Sequence, residues 1–437
     1  MGRTCRVQVS FLVFSTAFSL VQSDDIQIHD LPKPNDSDEV ALAIFRVQDT
    51  YLLTPADVIA QHFGNSGEAK LASALDCFNI AMVAYSRSDF YHALMWLQEA
   101  QRILENELES EPSLSHLDLW RPLAVSLHKQ NNWYHAYQVS KKLKALFKIM
   151  DKSEVELALE EYTELKELMS IEYNDEDTSP IVNKRSNDQN IAYEQICRRG
   201  AQTPPLSCHY AMKTSFSRLA PTKVEVLHEN PPVLIFRSII SSNESQIIQS
   251  LANSQLERGK VIVGKSRVQS EIRTSTTAWL HKTGHPLINV IHKRIQDHTG
   301  LDMESADPLQ VARYGFGGHY YFHFDHMTDK MRKKYGYHGS YNEISGDRMA
   351  TLMFYLTEPE AGGSTAFPYL SLVIPPTKND AVFWYNMRKD GSGIKESMHG
   401  GCPVLRGTKW VANQWIRERG QEFSRPCALQ SDAMDLI

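Results

Sequence analysis

Two histidines and one aspartate in the last third of the sequence could ligate a single metal ion. His323 and Asp325 are two residues apart, and His399 follows after a long gap. Two imidazoles and one carboxylate form the facial triad of non-haem Fe(II) oxygenases. Because residues two apart on an extended strand point to the same face, His323 and Asp325 can reach one ion. Three protein ligands leave room on an octahedral iron for a 2-oxo acid and dioxygen.

A lysine that follows the second histidine could hold that acid. Lys409 shares one face of a predicted strand with Val411, Asn413 and Trp415. An inward lysine in such a setting needs an anion, and the far carboxylate of a 2-oxo acid would supply one. The alternative is a surface lysine on an edge strand.

The His-x-Asp spacing alone is not specific. With 17 histidines and 52 acidic residues among 437, roughly two His-x-Asp/Glu triplets are expected by chance. The sequence contains a second one, from His116 to Asp118, in a segment with helical periodicity. No distal histidine with a following lysine accompanies it, so we interpret it as a solvated turn.

The surroundings of His323 make that motif specific. Residues 309–314 and 319–325 have the composition of strands, and the glycine-rich residues 315–318 separate them as a turn. His319 and His326 are the competing ligands. His319 shares a strand face with His323 but lies further from the aspartate, so we predict that it is not a ligand.

The first half of the chain is predicted to be helical. Apolar residues recur at helical spacing throughout residues 40–170, most clearly in 40–53, 72–85, 91–104 and 134–147. The sequence from Asp89 to Ala93 is echoed from Asn132 to Ala136, and each copy opens a helix. Paired helices of tetratricopeptide type repeat in this way, with a usual period of about 34 residues.

The second half is predicted to be rich in β-structure. Residues 171–224 are interpreted as a polar linker, 225–427 as the catalytic domain and 428–437 as a tail. Short strand-like runs separated by Gly and Pro turns indicate a jelly roll. These runs are residues 233–236, 349–356, 370–374, 381–385 and 409–416. The predicted fold is therefore α+β and multidomain, with an all-α domain before a jelly roll.

Residues from about 231 to 427 resemble the catalytic domain of collagen-type prolyl 4-hydroxylase alpha subunits. The matching runs include Tyr-Gly-Phe-Gly-Gly at 314–318, Ala-Gly-Gly-Ser-Thr-Ala-Phe-Pro at 361–368, Ala-Val-Phe-Trp-Tyr-Asn at 381–386, His-Gly-Gly-Cys-Pro-Val at 399–404 and Gly-Thr-Lys-Trp-Val-Ala-Asn at 407–413. The resemblance implies a double-stranded β-helix that uses Fe(II), 2-oxoglutarate and ascorbate. It matches His323, Asp325 and His399 to iron ligands and Lys409 to the 2-oxoglutarate lysine.

The same resemblance suggests further contacts. By position in the family, Tyr314 and Thr351 could contact 2-oxoglutarate, although either hydroxyl could instead satisfy a backbone group. Residues 40–170 correspond to the family's peptide-substrate-binding domain, in which exposed aromatic rings can stack on a polyproline II strand. The candidate substrate-binding residues are Tyr85, Phe90, Tyr91, Trp133, Tyr134 and Tyr137. The alternative is that these rings pack between helices. His128 stands where the family usually carries a tyrosine.

Cysteines and the N-terminus indicate the secretory pathway. The resemblance implies two disulfides, Cys197–Cys208 and Cys402–Cys427, and leaves Cys77 as a buried thiol. Residues 1–23 have the basic start, short apolar core and small-residue end of a signal peptide. Asn35 and Asn243 lie in glycosylation sequons.

Composition and the family resemblance together lead to expectations about partners, compartment and assembly. The charge of −6 and the lack of basic patches argue against a nucleic-acid partner, and no later segment is expected to span a membrane. We expect the lumen of the endoplasmic reticulum, with protein disulfide isomerase as the partner. The family's N-terminal assembly helices have no counterpart in this short form, which predicts a one-to-one complex with that partner.

The predicted activity is hydroxylation of peptidyl proline at C4, in proline-rich or collagen-like polypeptides. Dioxygen and 2-oxoglutarate would be consumed, and succinate and CO₂ released. One alternative is an enzyme that hydroxylates another residue, such as lysine, in secreted proteins. The other is a non-catalytic subunit that binds proline-rich peptides or serves in assembly, although such a binder would not need both the triad and Lys409.

Overall fold

The structure is a computed structural model, and it describes residues 37–63, 72–106, 114–148, 150, 170, 179–185, 190–200, 205–212, 215–263, 266–335 and 345–429. The described chain divides into two compact units at residues 194 and 195. The predicted signal peptide, the Asn35 sequon and most of the predicted tail lie outside the described residues.

The first unit is built from helices. Its helices are α1 (Ser37–Tyr51), α2 (Pro55–Phe63), α3 (Ala74–Ser86), α4 (Phe90–Leu104), α5 (His116–Lys129) and α6 (Trp133–Phe147). Side-chain caps fix where α3 and α5 begin. The Ser73 hydroxyl accepts a hydrogen bond from the backbone N–H of Asp76, and the Ser115 hydroxyl accepts one from that of Asp118. The second His-x-Asp triplet is thus the first turn of α5. Among the described residues, no helix is long and apolar enough to cross a membrane.

The internal echo corresponds to two helical hairpins, α3–α4 and α5–α6. Each hairpin turns through one residue in the left-handed region, Ser88 with φ of 59° and Asn131 with φ of 62°. An edge-to-face ring pair spans each turn: Tyr85 with Phe90 at 5.6 Å, and His128 with Trp133 at 4.5 Å. The predicted tetratricopeptide-like domain is confirmed.

The second unit combines strands and helices. Helix α7 (Ile191–Arg198) spans the unit boundary, and three further helices follow: α8 (Ser215–Leu219), α9 (Ser242–Asn253) and α10 (Pro286–Thr299). Another helix, α11, covers Asp329–Tyr335. The strands are β1 (Ser207–Ala211), β2 (Thr222–Glu229), β3 (Pro232–Arg237), β4 (Glu257–Arg258), β5 (Val261–Val263), β6 (Ser266–Val268), β7 (Thr276–Leu280), β8 (Leu309–Tyr314), β9 (Tyr320–His323), β10 (Arg348–Tyr355), β11 (Ala361–Gly362), β12 (Thr365–Phe367), β13 (Leu372–Ile374), β14 (Ala381–Tyr385), β15 (His399–Gly401), β16 (Val404–Arg406) and β17 (Lys409–Arg417).

Two antiparallel sheets form the jelly roll. The major sheet has nine strands in the order β1-β2-β3-β14-β10-β17-β8-β7-β4, and the minor sheet has four in the order β13-β12-β15-β9. The predicted double-stranded β-helix is therefore confirmed. The sheet begins at Ser207, inside the segment that the sequence had placed in the linker, because β1 and β2 pair with each other and β2 pairs with β3.

Strand alternation gives the major sheet two buried faces. On β10, Leu352 and Phe354 belong to the cluster that includes Ile248 of α9 and Ile291 of α10. Their neighbour Met353 belongs to a second cluster, which includes residues of the minor sheet. A sheet buried on both sides is rigid, and the second face is the one that carries the candidate site.

The predicted disulfide pairing is wrong. Cys197 on α7 is bonded to Cys402, which follows β15, across a Cα–Cα distance of 5.4 Å. Both cysteines are buried, whereas Cys208 and Cys427 are exposed. Cys77 is a buried thiol, as predicted, and burial raises its pKa to about 12.

Candidate metal and co-substrate site

The three predicted metal ligands converge in the minor sheet. His323 ends β9, His399 begins β15, and the two residues are direct partners in the antiparallel pairing of these strands. Asp325 follows β9 and faces both rings, with 3.7 Å from one carboxylate oxygen to His323 Nε2 and 3.7 Å from the other to His399 Nε2. The ligand atoms all lie within 4.8 Å of one another, as one ion requires.

Backbone carbonyls fix the tautomer of both imidazoles. His323 Nδ1 lies 2.8 Å from the carbonyl oxygen of Tyr321, and His399 Nδ1 lies 2.9 Å from that of Ser397. A carbonyl can only accept a hydrogen bond, so each Nδ1 carries the proton. Each Nε2 therefore presents its lone pair toward Asp325, which is the arrangement of metal-bound histidines.

A chain of hydrogen bonds orients the carboxylate. Thr351 on β10 donates its hydroxyl to Asp325 Oδ2 at 2.7 Å. The amide of Asn386 donates to the Thr351 hydroxyl at 2.8 Å, and the indole of Trp384 donates to the Asn386 carbonyl at 2.9 Å. Thr351, Asn386 and Trp384 are all buried, so the carboxylate that they support has a fixed orientation.

Burial and neighbouring charge set the protonation of these ligands. Burial, and after it the adjacent His399, lowers the pKa of His323 well below its usual range, although Asp325 acts in the opposite direction. For Asp325, burial acts to raise the pKa, but the neighbouring His399, His323 and Arg348 outweigh this effect and hold the pKa below its usual range. A neutral His323 imidazole beside an ionised Asp325 carboxylate is a combination of protonation states that binds a divalent metal. The donor set therefore fits Fe(II).

Lys409 is a buried cation in the same cavity. It begins β17 opposite Tyr314 on β8, is 3% exposed, and its ammonium lies 5.7 Å from the ring centroids of Tyr314 and Tyr355. Among the residues that the structure describes, no carboxylate forms an ion pair with it. Burial accordingly lowers its pKa to about 7. An anionic ligand in this cavity would supply the missing countercharge, so the site also fits a 2-oxo acid.

Other polar side chains line the cavity between the triad and Lys409. Arg273 is buried, donates to Gln310 at 2.9 Å and to Ser275 at 3.2 Å, and lies 4.7 Å from the ring centroid of Tyr320. The Tyr320 ring stacks on His323 at 3.6 Å. Both residues line the cavity. Neither residue is a predicted site residue, and the segment that carries Arg273 has no motif that could have marked it.

The other predicted contacts and competing ligands occupy different positions relative to the cavity. Tyr314 lines the cavity, whereas the Thr351 hydroxyl is engaged by Asp325 and Asn386. Contact of either with 2-oxoglutarate stays a prediction. His319 lies outside the triad, and its Nδ1 is 2.8 Å from the Thr274 hydroxyl. His326 is likewise buried outside the cluster.

The predicted peptide-binding aromatics all lie on the first unit. Tyr85, Phe90 and Tyr91 surround the first hairpin turn, and Trp133 begins α6 at the second turn with 43% of its surface exposed. Tyr134 and Tyr137 follow on α6 and are half-buried. The partial exposure of the set fits a binding surface better than complete packing between helices.

Two family models match the chain. Residues 309–417 match the 2OG-Fe(II) oxygenase superfamily, and residues 74–166 match the prolyl 4-hydroxylase peptide-substrate-binding domain. The fold and the cavity thus define a 2-oxoglutarate- and Fe(II)-dependent oxygenase.

Related proteins narrow that class. Prolyl 4-hydroxylase subunit alpha-1 of Caenorhabditis elegans is 38% identical over 416 residues, which cover 92% of this chain and 72% of the relative. Human prolyl 4-hydroxylase subunit alpha-3 is 35% identical over 426 residues, covering 91% and 76%. The chain belongs to the family of prolyl 4-hydroxylase alpha subunits.

Among solved structures, the 2OG complex of the viral collagen prolyl hydroxylase of Paramecium Bursaria Chlorella virus-1 is similar to part of the chain. It is 28% identical, with a TM-score of 0.34, and the match covers 42% of this chain and 95% of that chain.

Proposed function

We propose that this protein hydroxylates peptidyl proline at C4, with one atom of O₂ entering the proline and the other entering succinate as 2-oxoglutarate loses CO₂. One observation carries the proposal: an oriented His-Asp-His set and an uncompensated buried lysine line the same cavity. His323, Asp325 and His399 would hold Fe(II). Lys409 would hold the distal carboxylate of 2-oxoglutarate.

The chain's own residues contribute positioning and shielding. Bound Fe(II) and 2-oxoglutarate would supply the oxidising chemistry. The two carbonyl-bonded imidazoles present Nε2, and Thr351 holds the carboxylate. Trp384 packs edge-on against the His399 ring at 4.7 Å. The Trp384 ring thereby excludes water from one side of the site, which protects reactive species from side reactions.

The helical unit would bind the proline-containing substrate. Its match to a peptide-substrate-binding domain supports this role, as do the half-exposed rings at the two hairpin turns. We propose that Tyr85, Phe90, Tyr91, Trp133, Tyr134 and Tyr137 contact the peptide. A polyproline II strand is stiff, so ring stacking against it costs little conformational entropy.

Mass spectrometry tests the activity directly. The full chain, supplied with Fe(II), 2-oxoglutarate and ascorbate, should add one oxygen to proline in proline-rich and collagen-like peptides. His323→Ala, Asp325→Ala and His399→Ala should each abolish this product, because two ligands cannot hold the ion as three do. The control His209→Ala, at an exposed position on β1, should retain activity. Full turnover by any triad variant at saturating iron would contradict the assignment.

The same spectra separate the rival functions. Fragment ions locate the added oxygen, so hydroxylation of lysine or another residue would replace the proline assignment. A non-catalytic peptide binder would yield no succinate and no modified peptide, yet would still bind the peptide in a titration.

We further propose that the protein works in the lumen of the endoplasmic reticulum, with ascorbate as reductant and protein disulfide isomerase as partner. A buried disulfide supports an oxidising compartment, and Asn243 is an exposed sequon residue in the first turn of α9. Co-purification from secretory-pathway membranes, followed by glycosidase treatment, tests the location. Recovery of unglycosylated protein with only cytosolic partners would contradict it.

A further inference from the structure

A short segment of the chain, residues 179–185, lies against the hairpin turns of the helical unit. It is neither helix nor strand and contains Pro180. Asn132 holds it at Val182, donating from Nδ2 to the carbonyl oxygen at 2.7 Å and accepting the backbone N–H at Oδ1, also at 2.7 Å. One amide side chain thus binds both main-chain groups of a single residue.

The corresponding residue of the first hairpin behaves differently. Asp89 precedes α4 as Asn132 precedes α6, and Asp89 caps its helix by accepting the backbone N–H of His92. Asn132 makes no side-chain cap bond with α6. Asparagine is among the best capping residues, and a cap contributes about 1 kcal/mol. Asn132 forgoes that contribution and binds the segment instead.

The two residues that follow Val182 also form hydrogen bonds at the hairpin turns. Asn183 donates its amide to the carbonyl of Tyr91 at 2.9 Å, and the backbone N–H of Lys184 donates to the Gln130 side chain at 3.0 Å. Val182 is 46% exposed and Ile181 is 37% exposed. The four hydrogen bonds of Val182, Asn183 and Lys184 each join a main-chain group to a side-chain amide. Recognition of the segment therefore depends little on apolar side chains.

The segment therefore lies within the proposed peptide-binding surface. Tyr91, whose carbonyl it binds, and Trp133, which follows Asn132, both belong to the aromatic set. One end is anchored by charge, since Arg185 pairs with Asp49 at 2.9 Å and with Glu194 at 2.7 Å. The other end carries the proline.

We infer that residues 179–185 are an internal ligand of the peptide-binding surface, held by Asn132 through main-chain hydrogen bonds, and that a proline-containing substrate peptide displaces them. The inference rests on the proposed role of the helical unit. A proline-containing peptide offers extended main-chain carbonyls and N–H groups of the same kind. The segment and the substrate therefore compete for one set of partners.

Hydrogen exchange of the full chain tests the displacement. In the absence of peptide, the backbone amides of Val182 and Lys184 should be protected, because both are hydrogen-bonded. A saturating synthetic peptide of repeated Pro-Pro-Gly triplets should remove that protection while leaving the core amides of α4 protected. Peptide binding with unchanged protection would overturn the inference and leave the proposed binding role intact.

A matched pair of variants tests the competition. Val182→Pro removes the backbone N–H that donates a hydrogen bond to Asn132. Val182→Ala keeps this N–H and changes only an exposed side chain. Calorimetry with the Pro-Pro-Gly peptide should show binding about 2- to 10-fold tighter for Val182→Pro, the range for one net hydrogen bond, and unchanged binding for Val182→Ala. Equal affinities for all three proteins would overturn the inference. Failure of every protein to bind would refute the peptide-binding role itself, and the inference with it.

Discussion

At the level of single residues, the metal site depends on the three ligands and equally on the hydrogen bonds that hold those ligands in place. The histidines are held by carbonyls of residues two positions earlier, and the aspartate by a threonine from the opposite sheet. Each of these contacts removes one alternative orientation. The ligands are thereby preorganised before the ion binds, which reduces the free energy spent on ordering them.

Thr351 should tune metal affinity. Thr351→Val keeps the shape of the side chain but removes the hydroxyl that links Asp325 and Asn386. We expect Fe(II) or Mn(II) affinity to fall about 10- to 100-fold, measured by metal titration. Thr299→Val is the control, because its hydroxyl also makes two hydrogen bonds but lies on α10. Equal metal affinity in the two variants would show that Thr351 does not orient the carboxylate.

Lys409 should determine affinity for 2-oxoglutarate. Lys409→Met keeps the length of the side chain and removes its charge. The lost buried ion pair is worth roughly 2–5 kcal/mol, so we expect the KM for 2-oxoglutarate to rise by a factor of about 30 or more. The Lys282→Met variant, at a partly exposed position outside the cavity lining, serves as the control. An unchanged 2-oxoglutarate titration in Lys409→Met would mean that another group binds the acid.

The sequence predicted the triad and Lys409, because a motif with fixed spacing and strand alternation is local information. The placement of Thr351 beside Asp325 was not predictable in this way. It depends on which strands face each other, since β10 lies in the major sheet and the triad in the minor one. Arg273 likewise reaches the cavity only through the fold, from a segment before β7.

Individual elements were predicted best where hydrophobic period and turn chemistry agree. The run at 91–104 corresponds to α4, Phe90–Leu104, and the run at 381–385 coincides with β14. Short strands without a motif were missed: β15 and β16 have three residues each. Such strands carry too few side chains for alternation to be visible, and the glycines of β15 lack side chains altogether.

One buried histidine should make the helical unit sensitive to alkaline pH. His92 on α4 lies between two carboxylates, with 2.7 Å from Nδ1 to Asp89 and 3.2 Å from Nε2 to Asp49. Burial acts to lower its pKa, but the two carboxylates outweigh this effect and raise the pKa to about 9. The protonated ring therefore stabilises the fold at neutral pH.

The sign of the pH dependence follows from that raised pKa. The stabilisation is complete below the unfolded pKa of about 6.5 and is lost as the pH rises through about 9. It amounts to about 3 kcal/mol, and urea denaturation followed by helical circular dichroism at several pH values should detect the loss. His92→Gln should flatten the profile, whereas His135→Gln should leave it unchanged. An identical slope in both variants would exclude His92 as the source.

The covalent link in the second unit joins distant parts of the chain. Cys197 and Cys402 are 205 residues apart in sequence, and six cysteines allow many pairings that sequence alone cannot rank. Proximity in sequence favoured Cys197 with Cys208 and Cys402 with Cys427. Tertiary structure decides otherwise, because β1 carries Cys208 at an exposed position while α7 buries Cys197.

Peptide mapping under non-reducing conditions decides between the two pairings. We expect a cross-linked peptide that joins Cys197 to Cys402. A disulfide that closes so long a loop strongly restricts the unfolded chain, and its removal typically costs 2–5 kcal/mol. The double variant Cys197→Ser/Cys402→Ser should therefore unfold at a clearly lower urea concentration, whereas Cys208→Ser/Cys427→Ser should unfold as the wild type does. Recovery of Cys197–Cys208 and Cys402–Cys427 peptides, with equal destabilisation by both double variants, would restore the pairing predicted from the family.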